Sequence, residues 1–492
     1  MDIYQIISIS AYLMLMIGIG WYSYRKSTSN VDEFLLGGRK MGPAVTALSA
    51  GASDMSGWLL MGMPGAMFVS GLSASWIAIG LTTGAYLNYV LVAPKFRIYT
   101  EKAGNALTIP DYFENRFHDH RHLLRLISGL VILVFFTLYT SAGMVAGGKL
   151  FESAFNTDYS MGLWITSSVV ILYTFMGGFL AVSLTDFVQG TIMMIAIIAV
   201  PVVVFLELGG VSATFDAIET INPGHLNMFH GTTWVGIISL LAWGLGYCGQ
   251  PHILARFMAI DTVKQVRTAK KIGISWMIIT VCGALSVGLV GIAYLEKTGQ
   301  SIADPETIFI FFSSELFHPF IGGFLLSAIL AAVMSTISSQ LLVSSSSVTE
   351  DFYKSFFRRE ASGKELLLVS RLSVLLVAIV ALALSLNPED TILELVGHAW
   401  AGFGSAFGPV ILFSLLWKGT TRNGAIAGMV LGGLVVLLWT YWEHPFSDMY
   451  SMIPGFALSS LAIFIVSKID KRPSKAIEKE FEEVQQVYRD DY

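Results

Sequence analysis

Apolar runs of about twenty residues recur along the whole chain, separated by short polar stretches that hold most of the charges. A run of that length crosses the hydrocarbon of a bilayer as a single α-helix. The pattern predicts thirteen spans, over residues 4–24, 43–69, 73–94, 124–150, 160–181, 186–208, 233–258, 272–296, 318–347, 366–386, 390–417, 421–442 and 450–467. The expected fold class is an all-α polytopic membrane protein. Residues 1–467 form one transmembrane domain and 468–492, "KIDKRPSKAIEKEFEEVQQVYRDDY", form a polar tail that is a short helix or disordered. The opening "MDIYQ" lacks the basic start of a signal peptide, so the first span is expected to be retained. An odd number of spans puts the two ends on opposite sides.

Two of these runs are interrupted. Span 2 contains "TALSAGASDMSGWLLMG", where Asp54 lies between Ser53 and Ser56 and is bracketed by Gly51 and Gly57. Span 7 contains "LLAWGLGYCGQPHILARF", with Gly244, Gly246, Gly249 and Pro251 within eight residues. Unwound backbone survives at membrane depth only where protein or a cavity satisfies it. An intramembrane carboxylate is a functional-site candidate by default. Interrupted segments at matching places in two halves point to a transporter with inverted repeats, here spans 2–6 and 7–11, with spans 1, 12 and 13 added.

Chemistry at the breaks follows from helix ends. Freed carbonyls of Ala52 and Met55 suit a small cation, and N–H groups of Ser56 and Gly57 suit an anionic substrate head. In span 9, "LLSAILAAVMSTISSQLLVSSSSVTED", Ala332, Ser335 and Thr336 fall at i, i+3 and i+4 on one face. Uncharged hard oxygens fit Na⁺ better than a divalent ion, which recruits carboxylates. Ser and Thr also serve as ordinary packing residues between membrane helices.

Composition agrees with a membrane chain. Of its 492 residues 54% are hydrophobic and 13% charged, and the mean hydropathy is +0.66; soluble domains carry about 25% charged residues. The two cysteines, Cys248 and Cys282, both lie in apolar runs, which excludes a disulfide framework. Charge distribution orients the chain. With the N-terminus outside, 28 of the 30 Lys and Arg, Arg256 among them, fall on the inner side, and only Lys149 and Lys297 on the other. No HExxH, Ser–His or paired-Asp arrangement supports an intramembrane enzyme.

The stretches "GGRKMGPAVTALSAGASDMSGWLLMGMPGAMF", "ISLLAWGLGYCGQPHILARFMA", "FLLSAILAAVMSTISSQLLV" and "HAWAGFGSAFGPVILFSLLW" resemble the sodium/proline symporters of the sodium:solute symporter family, from about Gly37 to Lys418. The resemblance implies a leucine-transporter-like inverted-repeat fold of thirteen spans. It also implies Na⁺-coupled uptake of L-proline through the lipid bilayer of a bacterial cytoplasmic membrane, for nutrition or osmoprotection, with the N-terminus outside and the C-terminus cytoplasmic. One Na⁺ per proline suffices energetically. No nucleic acid and no obligatory protein partner is expected. By the same resemblance Na⁺ sits at Ala52, Met55, Ala332, Ser335 and Thr336, with Asp54 as the essential carboxylate beside it. Proline is expected near Ser56, Gly57, Tyr139, Trp243, Tyr247 and Pro251, with Trp243 and Tyr247, at i and i+4, flanking its ring. Arg39 and Asp186 are assigned to coupling or access, and His252 to structure. Cys248 departs from the aromatic residue that relatives often carry. Pantothenate, a small carboxylate, sialic acid or a sugar is the alternative solute, and a transporter-like membrane sensor the alternative of another class.

Overall fold

A computed structural model describes residues 2–26, 31–386, 391–442, 446 and 448–492. Its described elements are all helices, with one isolated bridge between Met41 and Ile260. Ten of the helices are long and apolar enough to cross a membrane. Several match predicted spans directly, among them Ile3–Lys26, Leu123–Phe155, Gly363–Leu384, Ile392–Leu416, Arg422–Tyr441 and Met452–Ile469. The first residue of predicted span 11, at position 390, lies outside the described residues.

Predicted spans 5 and 6 run together in one element, Tyr159–Glu207, interrupted at Gly178, where φ is +55°. A side chain there is excluded twice, by that backbone angle and by the Phe34 ring. The break therefore falls ahead of the polar "SLT" stretch between the two predicted runs. Predicted span 3 continues well past residue 94: Ser75–Leu87 leads through a π-helical turn, Asn88–Val92, into Ala93–Lys102.

Pro319–Ser346 is the central helix, packed on Ile3–Lys26, Pro43–Asp54, Leu123–Phe155, Tyr159–Glu207 and Gly363–Leu384. From Leu325 to Leu342 every residue is buried, as expected of a helix with no polar face to turn outward. Gly363–Leu384 lies at the rim and exposes Leu368, Leu372, Leu376 and Ile379, a continuous apolar stripe of the kind that faces lipid.

The tail is a helix, Lys475–Asp491, that docks Ile477, Phe481 and Val484 and packs against Ala93–Lys102. Four arginines counted among the loop cations, Arg97, Arg116, Arg125 and Arg256, are buried. A cation at the end of an apolar run looks the same in sequence whether it snorkels outward or turns into the core.

Candidate functional site at the two helix breaks

Helix Pro43–Asp54 stops at Met55, whose φ and ψ are −79° and +69°. Ser56 N–H turns back to the Asp54 carbonyl at 2.9 Å instead of bonding Ala52. The freed Ala52 carbonyl accepts a hydrogen bond from Ser335 Oγ at 2.7 Å. Ser335 Oγ and Thr336 Oγ1 each also reach the Ala332 carbonyl, at 3.1 Å. Four of the five residues expected to hold Na⁺ are thus brought together across predicted spans 2 and 9. Met55, expected to offer its carbonyl, also lines the cavity beside Asp54.

The flanking glycines serve close packing. A Cβ at Gly51 would come within 2.8 Å of the Trp276 ring, and one at Gly57 within 2.8 Å of Ala146 Cβ.

In predicted span 7, helix Trp234–Ala242 passes into a 3₁₀ stretch, Trp243–Gly249, before Pro251–Ala259 resumes. Residues i and i+4 do not share a face in a 3₁₀ helix, so Trp243 and Tyr247 diverge. Trp243 stacks on Tyr450 at 5.2 Å and lines an open cleft of about 490 Å³. Tyr247 points to the core and donates a hydrogen bond to Asp54 Oδ2. Trp400 joins the two: its Nε1 donates to the Trp243 carbonyl at 2.8 Å and its ring meets Tyr247 edge-on at 5.2 Å. Trp400 lies in one of the recognised motifs, yet nothing in its spacing singled it out.

Asp54 and Ser335 lie on opposite sides of helix Pro43–Asp54. Ala52 packs toward Gly190 and Ser335, whereas Asp54 lines a small cavity with Tyr89, Tyr247 and Trp276. Tyr139 and Ser56 are both buried, and the Tyr139 hydroxyl lies within electrostatic range of Ser56 and Asp54. Pro251 is set apart from these, in a small cavity of about 20 Å³ with Leu36, Phe179 and Met258. The expected proline residues therefore divide: Ser56, Tyr139 and Tyr247 gather around Asp54, Gly57 packs on Ala146, Trp243 faces the open cleft, and Pro251 lines a separate small cavity. His252 is buried between Phe136 and Tyr139, with neither ring nitrogen hydrogen-bonded.

Asp186 forms a fully buried ion pair with Arg256, Nη2 to Oδ2 at 3.0 Å. Ser49 Oγ donates to the same carboxylate oxygen at 2.6 Å, and Arg256 reaches Ser49, Ser339 and the His252 carbonyl. One guanidinium so ties predicted spans 2, 6, 7 and 9. Sequence reasoning missed it; its place one turn beyond Pro251–His252, opposite an Asp in another span, was the available signal.

Arg39 closes a turn in which Gly37, Gly38 and Arg39 all have φ near +60°. Its guanidinium donates to Thr100 Oγ1, Met258 O and Ala106 O at 3.2, 2.9 and 2.6 Å. Burial, with the Arg97 charge adding to it, pulls its pKa down to about 10, so Arg39 remains cationic at neutral pH. Arg97 in turn holds the Ile260 and Asp261 carbonyls. Together they knot the far end of Pro251–Ala259 to Ala93–Lys102.

The profile of the Sodium:solute symporter family matches residues 34–432. The chain is 59% identical over 477 residues, 97% of each chain, to the osmoregulated proline transporter OpuE of Bacillus subtilis (strain 168). It is 54% identical over 493 residues to sodium/proline symporter 2 of Staphylococcus saprophyticus, covering 98% of this chain and 96% of that one. Among solved structures, a substrate-bound, outward-open Na⁺-coupled sialic acid symporter superposes with a TM-score of 0.82 at 18% identity, over 96% of this chain and 99% of the other. MhsT in complex with L-phenylalanine gives 0.55 at 15% identity, over 86% and 97%. At such identities these two likenesses speak for the fold alone. A family profile spanning most of the chain, near-full-length relatives and an all-helical multi-pass architecture agree: the chain belongs to the sodium:solute symporter family.

Proposed function

We propose that this chain carries L-proline into a bacterial cell across the cytoplasmic membrane, coupled to at least one Na⁺, by alternating access. The observation that carries the reading is the 59% identity over 97% of both chains to a protein named as an osmoregulated proline transporter; osmoprotection is the matching role. The architecture of this reading is thirteen spans, with the N-terminus outside, the tail inside and spans 2–6 and 7–11 as inverted repeats. It is supported by the breaks at Met55–Ser56 and Trp243–Gly249, which fall at matching places in the two halves. Residues 1–467 act as one transport domain.

Na⁺ binds where Ser335 Oγ meets the Ala52 carbonyl, with Ala332, Thr336 and the Met55 backbone completing an uncharged oxygen set. That contact supports the assignment, because an arriving cation takes over a carbonyl already freed from the helix. Proline sits near Ser56, Gly57, Tyr139 and Tyr247, with Trp243 on the approach from the open cleft and Pro251 on the departure side. Release requires the Arg39 knot to open, and the Asp186–Arg256 pair holds the spans that must then move. Zwitterionic proline with one Na⁺ moves one net charge. A potential of about 100 mV supplies about 2.3 kcal/mol and a tenfold Na⁺ gradient about 1.4 kcal/mol, enough for roughly 500-fold accumulation.

The test is uptake of labelled L-proline into proteoliposomes under a Na⁺ gradient against an equal K⁺ gradient. Accumulation with Na⁺ alone, raised by an inside-negative potential, is expected. Na⁺-driven uptake of another solute in place of proline keeps the coupling and discards the substrate.

A further inference from the structure

Most arginines that are shielded from solvent hold something. Arg39 holds the Met258 carbonyl, Arg97 the Ile260 carbonyl and Arg116 the Ser414 carbonyl. Arg125, Arg256 and Arg422 pair with Asp111, Asp186 and Asp119. Arg371, half-buried, is the exception among the described residues. Its Nε and Nη2 are sealed from water and have no hydrogen-bond partner. A charged donor left unpaired costs more than a neutral one.

The surroundings of Arg371 say what the missing partner is. It lies on the rim helix Gly363–Leu384, between Leu368 and Leu372 of the stripe that faces lipid. Its guanidinium stands over the Tyr24 ring at 5.4 Å and the Phe175 ring at 5.8 Å. Tyr24 stacks on Trp21 at 6.0 Å, and the Arg25 guanidinium covers the Trp21 ring at 4.9 Å. Trp21, Tyr24 and Arg25 stand at i, i+3 and i+4 in the last turns of Ile3–Lys26, and all three are exposed. Two guanidiniums thus bracket two aromatic rings in a groove between predicted spans 1, 5 and 10. No described carboxylate forms an ion pair with either guanidinium. Trp and Tyr rings gather at the depth of lipid headgroups, and an arginine beside lipid snorkels to the same level.

We propose that Arg371 and Arg25 form a binding site for the headgroup of an anionic phospholipid, with Trp21 and Tyr24 as its floor and the acyl chains along Leu372, Leu376 and Ile379. A guanidinium fork donates two parallel hydrogen bonds to a phosphate, which supplies the missing acceptors of Arg371. Net charge selects further. A zwitterionic headgroup brings an ammonium of its own to two uncompensated cations, whereas an anionic one neutralises them. The apolar stripe beside the arginine selects a lipid over a free phosphate. Basic pockets between membrane helices are the usual seats of such headgroups. In the orientation proposed above the groove opens to the cytoplasmic leaflet; the site depends neither on that orientation nor on Na⁺ coupling.

The test is native mass spectrometry of the detergent-purified full-length protein, titrated with phosphatidylglycerol, with phosphatidylcholine of the same chains, or with glycerol phosphate. Phosphatidylglycerol should bind roughly tenfold more tightly than phosphatidylcholine, the worth of one charge-assisted hydrogen bond. Glycerol phosphate should not bind at the same concentrations. Arg371→Gln and Arg25→Gln should each weaken phosphatidylglycerol and leave phosphatidylcholine unchanged, and the double variant should lose the preference. Neither guanidinium holds a buried group of the chain, so both variants should fold, and Arg25→Gln, at an exposed position, answers if Arg371→Gln does not. Equal retention of the two lipids by the wild type, or an unaltered preference in Arg25→Gln and Arg371→Gln, overturns the site. Glycerol phosphate bound as tightly as the lipid overturns it too, since the groove then serves a soluble anion.

Discussion

Asp54 and Ala52 stand two residues apart, which on an α-helix sets their side chains about 200° from each other. That angle was available in the sequence and explains why the carboxylate and the span 9 hydroxyls do not meet. The Ser335 contact is to a carbonyl, and a carbonyl is freed by the break whichever side chain its residue carries. Two outcomes follow at this scale. Asp54→Asn keeps the shape and the Tyr247 contact but removes the charge, so Na⁺-driven proline uptake should fall by at least tenfold at unchanged membrane abundance, measured in proteoliposomes. Normal transport by that variant would sever Asp54 from coupling. Ser335→Ala with Thr336→Ala removes two oxygen donors and should raise the half-saturating Na⁺ concentration several-fold while the maximal rate at saturating Na⁺ changes less. An unaltered Na⁺ dependence would detach span 9 from the ion.

At the scale of the element, the breaks were legible and their mechanics were not. Glycines and serines in an apolar run announced an interruption, but the helix ends at Met55 and Ser56, while Gly51 and Gly57 make room for Trp276 and Ala146. Spacing also suggested that Trp243 and Tyr247 share a face; the 3₁₀ winding parts them, and winding is set by tertiary contacts such as Trp400 that no local pattern contains. Arg256 was passed over for a related reason: its partner Asp186 is 70 residues away in sequence, so its position beyond Pro251–His252 was a signal without a local confirmation. This pair carries a stability prediction. Arg256→Met alone strands Asp186 in the core and should cost about 3–5 kcal/mol, read as a lower thermal midpoint of the purified protein. Adding Asp186→Asn removes the stranded charge and should recover most of that loss. If the double variant is no more stable than the single one, the four-way link through Ser49 and Ser339 outweighs the charge itself.

For the whole molecule, the first question is what fastens the tail. Its lysine ion pairs, Lys102–Glu483, Lys418–Glu482 and Lys264–Asp491, are roughly half exposed or more and its His118–Glu480 contact about one-third exposed, and exposed pairs are worth about 0–1 kcal/mol each. The buried Phe481, over which the Arg116 guanidinium sits at 5.6 Å, outweighs them. Phe481→Ala should therefore release the helix at a cost of about 3 kcal/mol, seen as faster proteolysis after Asp470, whereas raising salt on the wild type should not. The second question is which way the chain faces. Thirteen spans put Gln300 and Lys471 on opposite sides, and both residues are exposed. In a background with Cys248→Ser and Cys282→Ser, a membrane-impermeant maleimide applied to intact cells should label Gln300→Cys at once and Lys471→Cys only after permeabilisation. The reverse order would turn the molecule over and leave the thirteen-span count standing. Labelling of both from outside would remove an odd number of crossings between them, and with it the pairing of spans 2–6 with 7–11 on which the two-break mechanism depends.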